Sequence, residues 1–224
     1  MSDGSPSLPA RLYLLAWDPG RRRPGRGPGL APVVRAGALT ELAWRGLLVD
    51  VDGVATPRDL DAHSGDPVLD GLLELVMESR PRPWESWVTC YAGVTLDAVP
   101  AQLAAAGFLR ADSRRGFGIF RPVNYALERA QTVEALQRQT RRTLTGPEPV
   151  AEVSQRDAAL VALAAAAGVP TVVSPADRER HGERIAALTL RGSGAVPALG
   201  KVLLGVRTAG DEAVRWDRDG VGSG

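Results

Sequence analysis

Apolar residues recur along this chain at helical spacing far more often than at strand spacing, and the breaks in that rhythm mark the joints. Leu8, Leu12, Leu15 and Ala16 share one face of a helix predicted over residues 8–17, with Ser7 as its cap and Pro9 in its first turn. Val34, Ala38, Leu39 and Leu42 form the inward stripe of a second helix over residues 30–45, which Gly46 ends with a left-handed residue. Glu41 and Arg45 stand one turn apart on it and are expected to pair, for a few tenths of a kcal/mol. Residues 47–52 then alternate like a strand, Gly53 turns, and Val54-Ala55 begins the return. Alternation places Asp50 and Asp52 on one outward, solvated face.

Leu69, Leu72, Leu73 and Val76 predict a third helix over residues 68–78, ended by Pro81 and Pro83. Short helices follow over 84–91 and 96–106, the latter stopped by Gly107. Residues 108–110 begin a strand that 113–116 turn back into 117–120. Leu127, Ala130, Val133, Leu136 and Leu144 predict the longest helix, over 125–144. Residues 155–167 form a nearly all-apolar helix that belongs at the centre, and two more helices fall near 175–190 and 196–207. The fold class is mainly α: a single globular α-helical domain with short β-hairpins at its periphery. Its expected bounds are a flexible lead over 1–7, the domain over 8–208 and a disordered tail over 209–224.

Charge sharpens the pattern. The 224 residues carry a formal net charge of only +1, yet the first 35 hold six arginines against two aspartates, and residues 50–74 hold seven acids against one arginine. Such asymmetry can orient a molecule at an anionic surface, and two solvated loops of opposite sign account for it equally well. Lys201 is the only lysine; with abundant Ala, Gly and Pro, this arginine bias fits a high-GC bacterial genome. A single cysteine, Cys90, excludes a disulfide within the chain and fits a reducing, cytoplasmic compartment. No apolar run approaches the ~20 residues that span a bilayer, so membrane contact is expected to be peripheral.

Catalysis is not expected. His63 and His181 sit in polar segments, Cys90 reads as a small core residue, and no nucleophile elbow, phosphate-cradling lysine loop or metal-ligand spacing occurs. No cofactor and no metal are called for. The segment from 18 to 29 is the chemically suggestive one. Its glycines let backbone approach a phosphate, Arg21, Arg22, Arg23 and Arg26 offer charge-assisted donors, and the following helix adds its positive N-terminal end and Arg35. An ordinary solvated arginine loop explains the same residues.

The run from Asp18 to Leu48, with Glu41-Leu42-Ala43-Trp44-Arg45-Gly46 at its heart, resembles the Golgi phosphoprotein 3 family, whose members bind phosphatidylinositol 4-phosphate at membrane surfaces. The likeness continues through Val68-Leu69-Asp70-Gly71-Leu72-Leu73, the tryptophan-bearing helix after Pro83 and the helix-to-strand step at Gly107, covering roughly residues 8–205. It implies a peripheral, cytoplasmic, noncatalytic protein binding an acidic phospholipid headgroup, a phosphoinositide or phosphatidylinositol. Arg35 falls where the family has a headgroup-contacting arginine. Three other pocket positions differ: Arg26 replaces a tryptophan, and Leu96 and Ala98 replace two arginines. The resemblance also implies that the hairpin carrying Arg114, Arg115, Phe117, Ile119 and Phe120 serves membrane insertion or homo-oligomer formation, although alternation equally allows its phenylalanines to face the core.

The rival reading is a winged-helix nucleic-acid binder, because a helix, a glycine and a hairpin follow one another twice, around Gly46 and around Gly107. Neither preceding helix shows the basic face that DNA binders present, so nucleic acid is not the expected partner.

Overall fold

In the computed structural model the described residues are 5–18, 23–24, 29–112, 124–193, 200–203 and 205–207. The chain runs α1 (Leu8–Leu15), β1 (Trp17–Asp18), β2 (Arg23–Pro24), α2 (Leu30–Trp44), β3 (Leu48–Val51), β4 (Val54–Pro57), α3 (Pro67–Glu78), α4 (Trp84–Thr89), α5 (Ala92–Ala105), β5 (Leu109–Asp112), β6 (Asn124–Leu127), α6 (Ala130–Thr145), a 3-10 turn (Val150–Glu152), α7 (Gln155–Ala167), α8 (Pro175–Arg180) and α9 (Gly182–Ser193). Helical residues 200–203 and 205–207 follow. The described sheets are three separate antiparallel pairs, β1 with β2, β3 with β4 and β5 with β6. The mainly α architecture is as the sequence predicts.

Two helices are mostly apolar and buried on nearly every side. Along α7, Ala158 to Ala165 are all buried; Ser154 caps it by accepting from the Asp157 N–H, and left-handed Gly168 ends it. Along α2 nearly every side chain from Leu30 to Ala43 is buried, not a single stripe. It packs on α1, α3, α4, α5 and α7, so the core has two central helices. Small residues allow the closest approaches. A Cβ on Gly37 would lie 2.5 Å from Leu12 Cδ1, and one on Gly192 would lie 2.7 Å from the Ala159 nitrogen. These glycines let α1 close on α2 and α9 on α7.

Several expectations are corrected. Ser7 does not cap α1 with its side chain; the Leu8 N–H donates instead to the Glu41 carboxylate, 2.5 Å away. The segment read as a loop from residue 18 contains a short ladder, Trp17 pairing with Pro24 and Asp18 with Arg23, with proline at an edge where its missing N–H costs nothing. Residues 125–127 belong to a strand: β5 pairs Leu109 with Leu127 and Ala111 with Tyr125, so α6 starts only at Ala130. β5 therefore returns through 124–127, and the expected return strand at 117–120 lies outside the described residues. Residues 175–190 are two helices, broken at His181. Asp52 is not an outward strand residue but, with Gly53, the left-handed pair of a two-residue hairpin turn (φ 49° and 88°). Asp50 is likewise not merely solvated: it accepts from Gly53 N–H and Trp84 Nε1–H and pairs with Lys201. The expected lead and tail fall largely on residues 1–4 and 209–224, outside the described part.

Candidate functional site

Only two charged side chains are fully buried among the described residues, Arg35 and Glu41, and both belong to α2. Glu41 is saturated. Its carboxylate accepts from Leu8 N–H at 2.5 Å, from Arg45 at 2.6 Å and from Arg156 at 3.0 Å. Burial alone pushes its carboxyl upward, but the Leu8 N–H and the two guanidiniums outweigh this and hold it below the usual carboxylate range. The expected surface pair of Glu41 and Arg45 is thus part of a buried knot joining α1, α2 and α7.

Arg35 is different. It is 0% exposed, and its Nη2 donates to the Tyr91 carbonyl at 2.5 Å. Nε and Nη1 are equally buried and meet no acceptor in the protein. Desolvation lowers the guanidinium to about 10, with the neighbouring Cys90 acting in the opposite direction. It is therefore still charged at neutral pH. A buried cation facing one neutral carbonyl, with N–H groups to spare, is an electrostatic deficit that an anion would fill.

The other half of the corner comes from α5. Tyr91, at its N-cap, sits in the left-handed region (φ 52°, ψ 31°), offers no side-chain cap, and is followed by a first turn without an acid. Among the described residues the two with positive φ that are not glycine are Asp52, which the hairpin turn explains, and Tyr91. Such a conformation costs an aromatic residue of order 1–3 kcal/mol. It turns the Tyr91 carbonyl inward, where it takes both the Arg35 Nη2 and the Val94 N–H, the latter at 3.0 Å. The start of a 14-residue helix without a side-chain cap and a buried guanidinium thus share the Tyr91 carbonyl. Backbone N–H groups at a helix start and a guanidinium are both groups that can bind an anion.

The other predicted site residues divide. Arg23 is exposed on β2, which neighbours β1 and β6, whereas Arg35 reaches α5. Arg21, Arg22 and Arg26 lie outside the described residues, as do Arg114, Arg115, Phe117, Ile119 and Phe120. Leu96 and Ala98 lie on α5 past its first turn, Leu96 half-buried and Ala98 exposed. The sequence reading missed Tyr91. Nothing in Cys90-Tyr91-Ala92 announces a left-handed residue, and glycine, the usual signal, stands two places later. Two clefts, of about 220 and about 410 Å³, flank residues 5–7 beside Phe108, away from this corner. The arginines lining them are engaged, Arg11 with Asp157 and Arg45 with Glu41.

Among the described residues no group of three or more metal-ligating side chains gathers, and no helix is long and apolar enough to cross a membrane. Fold and corner together define a mainly helical domain with an uncompensated internal cation. The family model of Golgi phosphoprotein 3 (GPP34) matches residues 8–205, and the chain belongs to that family. No curated protein matches it.

Proposed function

We propose that this protein is a noncatalytic peripheral membrane protein that binds acidic phospholipid headgroups, and that Arg35 with the N-terminus of α5 receives the phosphate. The observation that carries this reading is the fully buried Arg35 guanidinium with Nε and Nη1 unsatisfied beneath an uncapped helix end. In the bound state the phosphate takes N–H bonds from the first turn of α5 and from Arg35, while Nη2 stays on Tyr91. Because Arg35 is covered, entry displaces the Cys90–Tyr91 joint between α4 and α5. Family membership supports a phosphoinositide or phosphatidylinositol as ligand and a cytoplasmic face of action. The exposed arginine of β2 and its loop supply long-range attraction, about 1 kcal/mol per basic residue near an anionic surface.

Co-sedimentation tests this. Phosphatidylcholine vesicles carrying phosphatidylinositol or its 4-phosphate are expected to pellet the protein at low salt, neutral vesicles are not, and Arg35→Met is expected to weaken pelleting about tenfold or more. Equal pelleting by neutral and acidic vesicles would refute the proposal. The nucleic-acid reading gains nothing: α2 is buried on all sides, and the exposed residues of α5, including Asp97 and Ala98, offer no base.

A further inference from the structure

Five large apolar side chains are exposed among the described residues: Val51, Leu60, Tyr91, Val94 and Leu190. Single exposed apolar residues are ordinary. Tyr91 and Val94 are not single. They are 64% and 62% exposed and stand three residues apart at the start of α5, on one side of its first turn. Gly93 between them is exposed, with nothing within 4 Å of where a Cβ would be. The remaining three are dispersed, Val51 on β3, Leu60 in the acidic stretch before α3 and Leu190 on α9.

The position of this pair is what gives it meaning. Tyr91 is the residue whose carbonyl holds Arg35, and Val94 donates its N–H to the same carbonyl. The paired exposed apolar side chains therefore crown the corner where the uncompensated cation lies. A free phosphate needs only the polar half of such a corner. An apolar rim contributes only if the anion is attached to a hydrocarbon phase. Tyrosine suits that boundary, with an apolar ring and a hydroxyl that stays wet. The strained backbone of Tyr91 carries a side chain that is mostly in solvent, so packing in the core does not account for it. Asp97, exposed one turn beyond Val94, is repelled by an anionic surface and limits penetration to the first turn.

We propose that Tyr91 and Val94 are the membrane-entering edge of this protein, inserting shallowly into the interfacial layer of an anionic bilayer while the phosphate of one lipid sits on Arg35 and the α5 N-terminus. The inference rests on the headgroup reading above and adds to it the lipid-bilayer context and the residues that sense it.

The test uses the full chain with Tyr91→Gly and Val94→Ser together. Glycine adopts the left-handed backbone without cost, so the carbonyl that holds Arg35 keeps its place. Affinity for phosphatidylcholine vesicles carrying phosphatidylinositol is expected to fall by a factor about tenfold larger than affinity for the deacylated headgroup, glycerophosphoinositol. In a Cys90→Ser background, an environment-sensitive fluorophore on Val94→Cys is expected to shift to the blue on the same vesicles and not on neutral ones. Unchanged vesicle affinity, an equal loss for vesicles and deacylated headgroup, or no blue shift overturns the inference. If vesicle binding depends on Arg35 but ignores both substitutions, only the edge is lost. If the unmodified protein binds neither vesicles nor the deacylated headgroup, the headgroup reading falls and takes the edge with it.

Discussion

Arg35 and Glu41 are six residues apart on one helix, equally hidden from water, and opposite in every other respect. Glu41 meets three donors, two of them cationic; Arg35 meets one neutral carbonyl. A buried charge that is fully met is a tie, and α1, α2 and α7 are fastened through it. A buried charge left short of partners keeps a desolvation cost that the chain does not offset, and it is on this that the proposed headgroup site rests. Number of partners, more than burial or charge, separates the two residues.

The largest effect that sharpens this contrast is expected at Glu41. Glu41→Ala strands Arg156, Arg45 and the first amide of α1 around an apolar gap, and it should cost about 3–5 kcal/mol in urea unfolding. Arg35→Met should behave oppositely, removing an uncompensated cation with an unchanged or higher unfolding midpoint while acidic-vesicle binding falls. A stability loss at Arg35 matching that at Glu41 would erase the distinction. Next in size is acid sensitivity. The Glu41 carboxyl is held below its ordinary value, so its contribution is fully present above the unfolded value of roughly 4.3 and is lost as pH falls through the lower folded value. Glu41→Gln should therefore flatten the fall in unfolding free energy below that pH, measured by urea titrations across the acid range; an unchanged slope would assign the acid response elsewhere. The smallest effect is expected at a partly solvated pair, Lys201 with Asp50, where Lys201→Ala should cost no more than about 1 kcal/mol in the same assay.

Much of the scaffold could be read from residue order. The helix Gln155–Ala167 coincides with its prediction because Ser154 caps it, Gly168 ends it and apolar residues fill it. The helix ending at Gly46 was equally plain. What periodicity could not show is which polar residues a helix carries inward. Where α2 is enclosed on every side, a single apolar stripe misleads, and Arg35 and Glu41 look like surface residues. The start of α6 misled for a different reason. Tyr125 and Leu127 fit a helical rhythm and a strand alike, and only their pairing across β5 decides. Of the candidate site, Arg35 could be singled out by its resemblance to a headgroup-contacting arginine; its missing partners and the left-handed Tyr91 are products of tertiary structure and leave no local signature.

Lys201 offers a last consequence. It is the only lysine in 224 residues, and its ammonium is tied to Asp50, linking the helical residues 200–203 to the β3–β4 hairpin. Reagents that acylate ε-amines therefore have a single side-chain target in this molecule, and using it removes the positive partner of that one joint. Amine-directed mass tags should read out, through protection at one position, how often the C-terminal helical segment lifts from the hairpin, with no engineered handle required.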